Sequence, residues 1–168
     1  TTGFGVTELI VKATPLILIG VGLSIGFKAN VWNIGAEGQF TMGAIAGGGT
    51  ALFLNTQESF LVLPAVLLMG ILGGVVWGMI PAFLKTKFNA NEILTSLMLS
   101  YVALLILSYL VHGPWRDPGG YNFPESEIFS DFAMLPILLE GTRLNIGTVF
   151  ALLSVLIIYI LLSRTVLG

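Results

Sequence analysis

Two short polar segments interrupt an otherwise apolar chain, and they hold the side chains fitted for chemistry. The first, Lys28-Ala29-Asn30-Val31-Trp32-Asn33-Ile34-Gly35-Ala36-Glu37-Gly38-Gln39, gathers three amides, a carboxylate and an indole. Amides donate and accept while a carboxylate only accepts, so Asn33, Glu37 and Gln39 suit a polar solute, with Trp32 as a stacking face. Glycines at 35 and 38 loosen any helix and free backbone amides to join them. Paired short hydrophobic segments broken by glycine point to a solute site built from interrupted helices. The same stretch also reads as a plain loop between two spans. The second segment is Asn89-Ala90-Asn91-Glu92-Ile93-Leu94-Thr95-Ser96. It reads as a helix start, with Asn89 or Asn91 as N-cap and Glu92 favourable to the positive end of the dipole. It also reads as a solute-facing cluster, with Thr95 and Ser96 one turn deeper, because ionisable groups near lipid are costly.

Catalytic constellations are missing from the sequence. His112 stands alone and there is no cysteine, so no metal set can be assembled. Ser24, Ser96, Ser100 and Ser108 lack nucleophile-elbow spacing. Gly47-Gly48-Gly49 is not followed by the Gly-Lys-Ser/Thr of a phosphate loop. The expectation is a chain that is not an enzyme and holds no cofactor or metal of its own.

The elements that position these segments are apolar. Of 168 residues, 55% are hydrophobic and 10% charged, against about 25% charge in a soluble domain. Mean hydropathy is +0.95. A net charge of −2 argues against a nucleic-acid partner, which needs a basic stripe. The implied solvent is a lipid bilayer. Apolar runs cover residues 13–27, 40–54, 60–84, 93–111 and 146–162. At 1.5 Å per residue the third reaches about 37 Å, the fourth about 28 Å and the fifth about 25 Å. The first two reach about 22 Å, short of a hydrocarbon core of about 30 Å, and read as incomplete or broken spans. The expected fold is an all-α membrane protein, a polytopic bundle of about five transmembrane or partly re-entrant helices. One transmembrane domain is expected over 1–168, incomplete at both ends, with an extracytoplasmic loop near 112–145 and a short helix near 126–139. Trp115, Tyr121 and Phe123 suit the headgroup zone. Lys85 and Lys87 are expected on the cytoplasmic side with Lys28 and Arg164. Lys12, Arg116, Arg143, Asp117, Glu125, Glu127, Asp131 and Glu140 are then outside. Gly70, Gly74 and Gly78 recur every four residues and form a small face for a close helix neighbour. That neighbour is expected to be the fourth or fifth span, or else a second subunit.

The thirteen residues from Phe27 to Gln39 resemble the signature of one family, the permease subunits of bacterial ABC transporters for nucleosides and simple sugars, in the branched-chain amino acid/ribose permease class. Trp77-Gly78-Met79-Ile80-Pro81, Asn91 to Tyr101, and the closing Leu162-Ser163-Arg164-Thr165-Val166-Leu167-Gly168 are similar to it as well. Asn is frequent in the family where this chain has Ser100. The resemblance implies a solute path lined by Trp32, Asn33, Glu37, Gln39, Asn91, Glu92 and Ser96, with Trp32 or Phe40 stacking on a base. It implies a bacterial inner-membrane location, a second homologous permease, an extracytoplasmic solute-binding protein, and a cytoplasmic ABC ATPase that binds the ATP. The family's ATPase-engaging helix is expected beyond Gly168. An ATP-independent carrier or channel is the rival reading; the lack of charge inside the five runs counts against proton coupling.

Overall fold

The computed structural model describes residues 2–120, 123–139 and 141–164. Its helices are α1 (Thr2–Lys28), α2 (Ala36–Phe53), α3 (Val62–Phe88), α4 (Glu92–His112) and α5 (Gly147–Arg164). Among the described residues there is no strand, only the isolated bridges Arg116–Ser126 and Ile137–Asn145. Four helices, all but α2, are long and apolar enough to cross a membrane. The expectations for Tyr121, Glu140 and residues 165–168 of the closing motif lie outside the described residues.

The first apolar run is not a short span. α1 has 27 residues and reaches about 40 Å. Glu8 and Lys12 end the hydropathy run but not the helix, because helix continuity follows backbone bonding rather than apolarity. The two stand four apart, so they share one face of α1. Charge therefore does lie within a spanning-length helix, contrary to the count made from the apolar runs.

Two compact units emerge. One holds α1 and α5 with the stretch from Leu135 onward; the other is Asn33–Met134. In the first, the Thr14 and Thr148 hydroxyls meet at 3.1 Å and Ala151 is fully buried. Thr14 Oγ1 also donates to Ile10 O, one turn earlier in α1. α5 is entered through a turn in which Gly141 takes φ +76°, a conformation that disfavours any side chain. Asn145 Oδ1 then accepts from Gly147 N–H at the helix start.

In the second unit α2 is the central element. Gln39 lies at Gly74 and Gly78, Gly43 at Gly70, and Gly47 at Val66, so α2 runs antiparallel to α3. Gly35 lies at Ser96 and Gly38 at Ser100, so it runs parallel to α4. An unbroken 18-residue helix thus lies beside two helices of spanning length. Its own low apolarity is tolerated because protein, not lipid, covers much of it. At its far end Gly48 faces Phe129 and Gly49 faces Trp115. Asn55 fastens the loop there: its Oδ1 accepts from Ser130 N–H at 2.8 Å, and its Nδ2 donates to Ile128 O at 3.4 Å. The helix expected near 126–139 is only a 3-10 turn, Asp131–Ala133. Pro136 biases Leu135 toward extended backbone and stops the turn from growing.

Candidate functional site: the start of α2 against α3 and α4

The α3–α4 turn is fixed by local bonds. Asn89 adopts φ 52° and closes α3; its N–H donates to Lys85 O at 3.0 Å, and Ala90 N–H donates to Leu84 O at 3.3 Å. Asn91 Oδ1 accepts from Ile93 N–H at 3.0 Å and Leu94 N–H at 3.2 Å, so Asn91, not Asn89, caps α4. Lys85 Nζ bonds Glu92 Oε1 across the turn. Thr95 Oγ1 donates to Asn91 O, and Ser96 Oγ donates to Ile93 O. The side chains of Asn91, Glu92, Thr95 and Ser96 each have a partner within the α3–α4 turn or the first turn of α4.

The α2 start is built to let backbones touch. Asn33 Oδ1 accepts from Gly35 N–H at 2.9 Å and sets the turn into the helix. A Cβ on Gly35 would stand 2.5 Å from Ser96 O, and one on Gly38 would stand 2.7 Å from Ser100 Cα. Those glycines serve close approach, and the loosening expected of them is absent: residues 36–53 form one helix. Ser96 and Ser100 are consequently 3% and 4% exposed, and Ser100 Oγ donates to Ser96 O. The contact between Gly35 and Ser96 joins the two polar segments that the sequence singles out. It lies inside the unit: Ser96 is about 6 Å along α4 from Glu92, and Gly78 about 15 Å along α3 from Phe88.

Gly70, Gly74 and Gly78 meet α2 within this chain, not α4. A Cβ on Gly78 would reach Gln39 Nε2 at 2.9 Å, and one on Gly74 would reach Gln39 O at 3.3 Å. The neighbouring Gly73 is tighter still, with Ala46 Cβ at 2.5 Å and Met42 O at 2.8 Å. With α3 and α4 on two sides, α2 keeps a third side open: Glu37, Phe40 and Ala44 are all exposed. Trp32 is 53% exposed and belongs to the other unit, where its ring lies 5.3 Å from that of Phe27. Trp77 Nε1 is buried without a hydrogen-bond partner.

Reading residue types alone missed Asn55 and the matching of glycine to glycine. The signal was present, since Gly43 and Gly47 repeat the four-residue spacing of Gly70 and Gly74. Among the described residues no cluster of His, Cys, Asp and Glu is placed to hold a metal.

Residues 5–168 match the family described as the permease component of branched-chain amino acid transport systems. The chain is 40% identical to the glucose ABC transporter permease protein TsgB13 of Haloferax volcanii, across 100% of this chain and 46% of that protein. It is 30% identical to the guanosine ABC transporter permease protein NupP of Bacillus subtilis, across 97% of this chain and 47% of that one. It is 27% identical to the nucleoside ABC transporter permease protein NupB of Lactococcus lactis, across 92% and 44%. The chain therefore spans about half the length of the curated relatives it matches. No solved structure matches it. The ATP-independent rival finds no support among these relatives.

Proposed function

The chain belongs to the permease-component family of branched-chain amino acid transport systems, and from that premise we propose that it forms part of the membrane path of an ATP-driven importer of nucleosides or simple sugars. Glucose, guanosine and nucleosides, named for the similar permeases, share a neutral sugar ring rich in hydroxyls. The observation that carries the reading to this chain is the kind of polarity collected around α2. Thr41, Ser96 and Ser100 are buried there with Gln39 nearby, and residues 38–53, 62–84 and 93–111 contain no Asp, Glu, Lys, Arg or His. A neutral polyol needs such donors and acceptors and no fixed counter-charge.

In this reading the path runs along the open side of α2, with Glu37 nearest to it and Gln39 on the neighbouring side against Gly74 and Gly78. Asn33, Asn91, Glu92 and Ser96 contribute by fixing the helix starts that frame it. Capture falls to an extracytoplasmic solute-binding protein, and ATP binding to a separate ABC ATPase in the cytoplasm. A second homologous permease completes the passage through the bacterial inner membrane, and this chain makes and breaks no covalent bond. The test is uptake of labelled nucleoside and labelled glucose by proteoliposomes holding the full-length parent, its partner permease and the ATPase, supplied with binding protein. Uptake that requires ATP and is competed by an unlabelled sugar-ring solute supports the proposal. Uptake that persists with a Walker-lysine variant of the ATPase rejects it.

A further inference from the structure

We propose that Phe129 gates the end of α2 that meets the α4–α5 loop, and that Asn55 is the latch holding this gate shut. The gate rests on the functional reading above and adds to it the point at which the path closes, on the side of the binding protein. Glu37, Ala44 and Gly48 follow one another at helical spacing, so Gly48 continues the open side of α2. Among the described residues, the one atom outside the helix that a Cβ on Gly48 would meet within 4 Å is Phe129 Cζ, at 3.5 Å. At this end the open side is therefore covered by an aromatic ring from the loop, and neither α3 nor α4 reaches it.

One side chain grips the backbone on both flanks of that ring. Asn55, just beyond the end of α2, accepts from Ser130 N–H through Oδ1 at 2.8 Å and donates to Ile128 O through Nδ2 at 3.4 Å. Bonds to the residues before and after Phe129 fix the residue between them, and both are lost together when Asn55 lets go. The closed arrangement also carries a cost. Ser130 Oγ is buried with no hydrogen-bond partner among the described residues, and it makes no capping bond to the 3-10 turn that follows. A buried hydroxyl left unbonded is unfavourable, and lifting the loop would return it to water. Asn55 thus opposes a tendency to open that is built into the next residue but one, the balance that a two-state element requires.

The experiment uses cells carrying the full-length parent, otherwise cysteine-free, with its partner permease, ATPase and binding protein. Ala44→Cys, one turn from Gly48 on the open side, reports on the space behind Phe129 through its rate of labelling by a membrane-impermeant maleimide. One net hydrogen bond corresponds to about a two- to tenfold change in a population. Asn55→Ala is expected to speed labelling by about that factor. Phe129→Ala should speed it at least as much, whereas Phe129→Leu keeps apolar bulk and should stay near wild type. Ser130→Ala keeps the N–H that Asn55 holds and removes the unbonded hydroxyl, so it should slow labelling. General loosening of the fold cannot give these opposite signs, and it would also open Thr41→Cys, a buried position on the same helix, to the reagent. Equal rates for Asn55→Ala, Phe129→Ala and wild type overturn the inference and leave the functional reading intact. So does labelling of Thr41→Cys in the Asn55→Ala background, which would make Asn55 a packing residue. Uptake of labelled nucleoside and glucose is followed in the same wild-type cells, and uptake of neither overturns the functional reading and the gate with it.

Discussion

Gly38→Ala and Gly48→Ala are the same chemical change on the same helix, and the structure requires them to differ. Both replace a helical glycine, so both gain the same helix propensity, about 1 kcal/mol in favour of alanine. They part in what the new methyl meets. At Gly48 the nearest atom is Phe129 Cζ at 3.5 Å, an ordinary van der Waals contact. At Gly38 the methyl lands 2.7 Å from Ser100 Cα and 3.1 Å from Ser100 N, and these are backbone atoms that cannot swing aside. Relief demands that α2 and α4 separate by the better part of an ångström, opening the seam in which Ser96 and Ser100 are buried. Overpacking of this kind costs about 1–3 kcal/mol. Because propensity cancels, the stability gap between the two variants measures that cost directly, about 1–3 kcal/mol with Gly48→Ala the more stable. Thermal unfolding of the full-length parent in detergent, followed by the loss of monodisperse protein on size exclusion, reads the gap. Gly48→Ala should melt at or above wild type and Gly38→Ala below it. Equal melting temperatures for the two would refute close approach as the reason for Gly38.

Three further outcomes follow from individual contacts. Asn91→Ala removes the acceptor for Ile93 and Leu94 N–H and should lower stability by about 1 kcal/mol, while Asn91→Asp and Asn91→Ser should retain most of it in the same assay. Thr14→Val and Thr148→Val each break the hydroxyl contact between α1 and α5, and a double-mutant cycle should return a coupling of about 0.6 kcal/mol; a coupling of zero removes that bond from the account. Trp77→Phe deletes an indole N–H that has no acceptor, so it should cost less than Trp77→Leu, which loses the aromatic ring as well, when both are compared by thermal unfolding.

Three of the four helices of spanning length, α3, α4 and α5, were legible because hydropathy and length decide them, and a cap at Asn89 or Asn91 because an amide before a periodic apolar run suits a helix start. α1 was truncated because Glu8 and Lys12 interrupt apolarity, a signal that speaks of solvent and not of backbone continuity. α2 was the hardest to read. Its glycines carry two opposite meanings, a loosened helix or a close neighbour, and only the positions of Ser96, Ser100, Gly70 and Gly74 choose the second. For the same reason the partner of the α3 glycine face was assigned to α4 or α5, since spacing shows that a helix comes close without showing which one. The polar segments around Asn33 and Asn91 were singled out by residue type, and their meeting at Gly35 and Ser96 is a product of the three-helix packing. The loop after α4 hid its anchoring because Asn55 lies far from Ile128 and Ser130 along the chain.

The central claim is that the open side of α2 lines the solute path, and solute protection of a single cysteine tests it most directly. The chain has no cysteine of its own, so Ala44→Cys in an otherwise cysteine-free parent gives one reporter on that side. Thr41→Cys, at a position 6% exposed on the same helix, and Leu105→Cys, at one 70% exposed on α4, serve as controls for burial and for a lipid-facing site. The account predicts that a water-soluble maleimide labels Ala44→Cys in the membrane-embedded assembly and leaves both controls unlabelled. It also predicts that nucleoside or sugar, delivered by the binding protein, slows that labelling. Labelling of Ala44→Cys that is absent, or that proceeds at the same rate with and without solute, would contradict it.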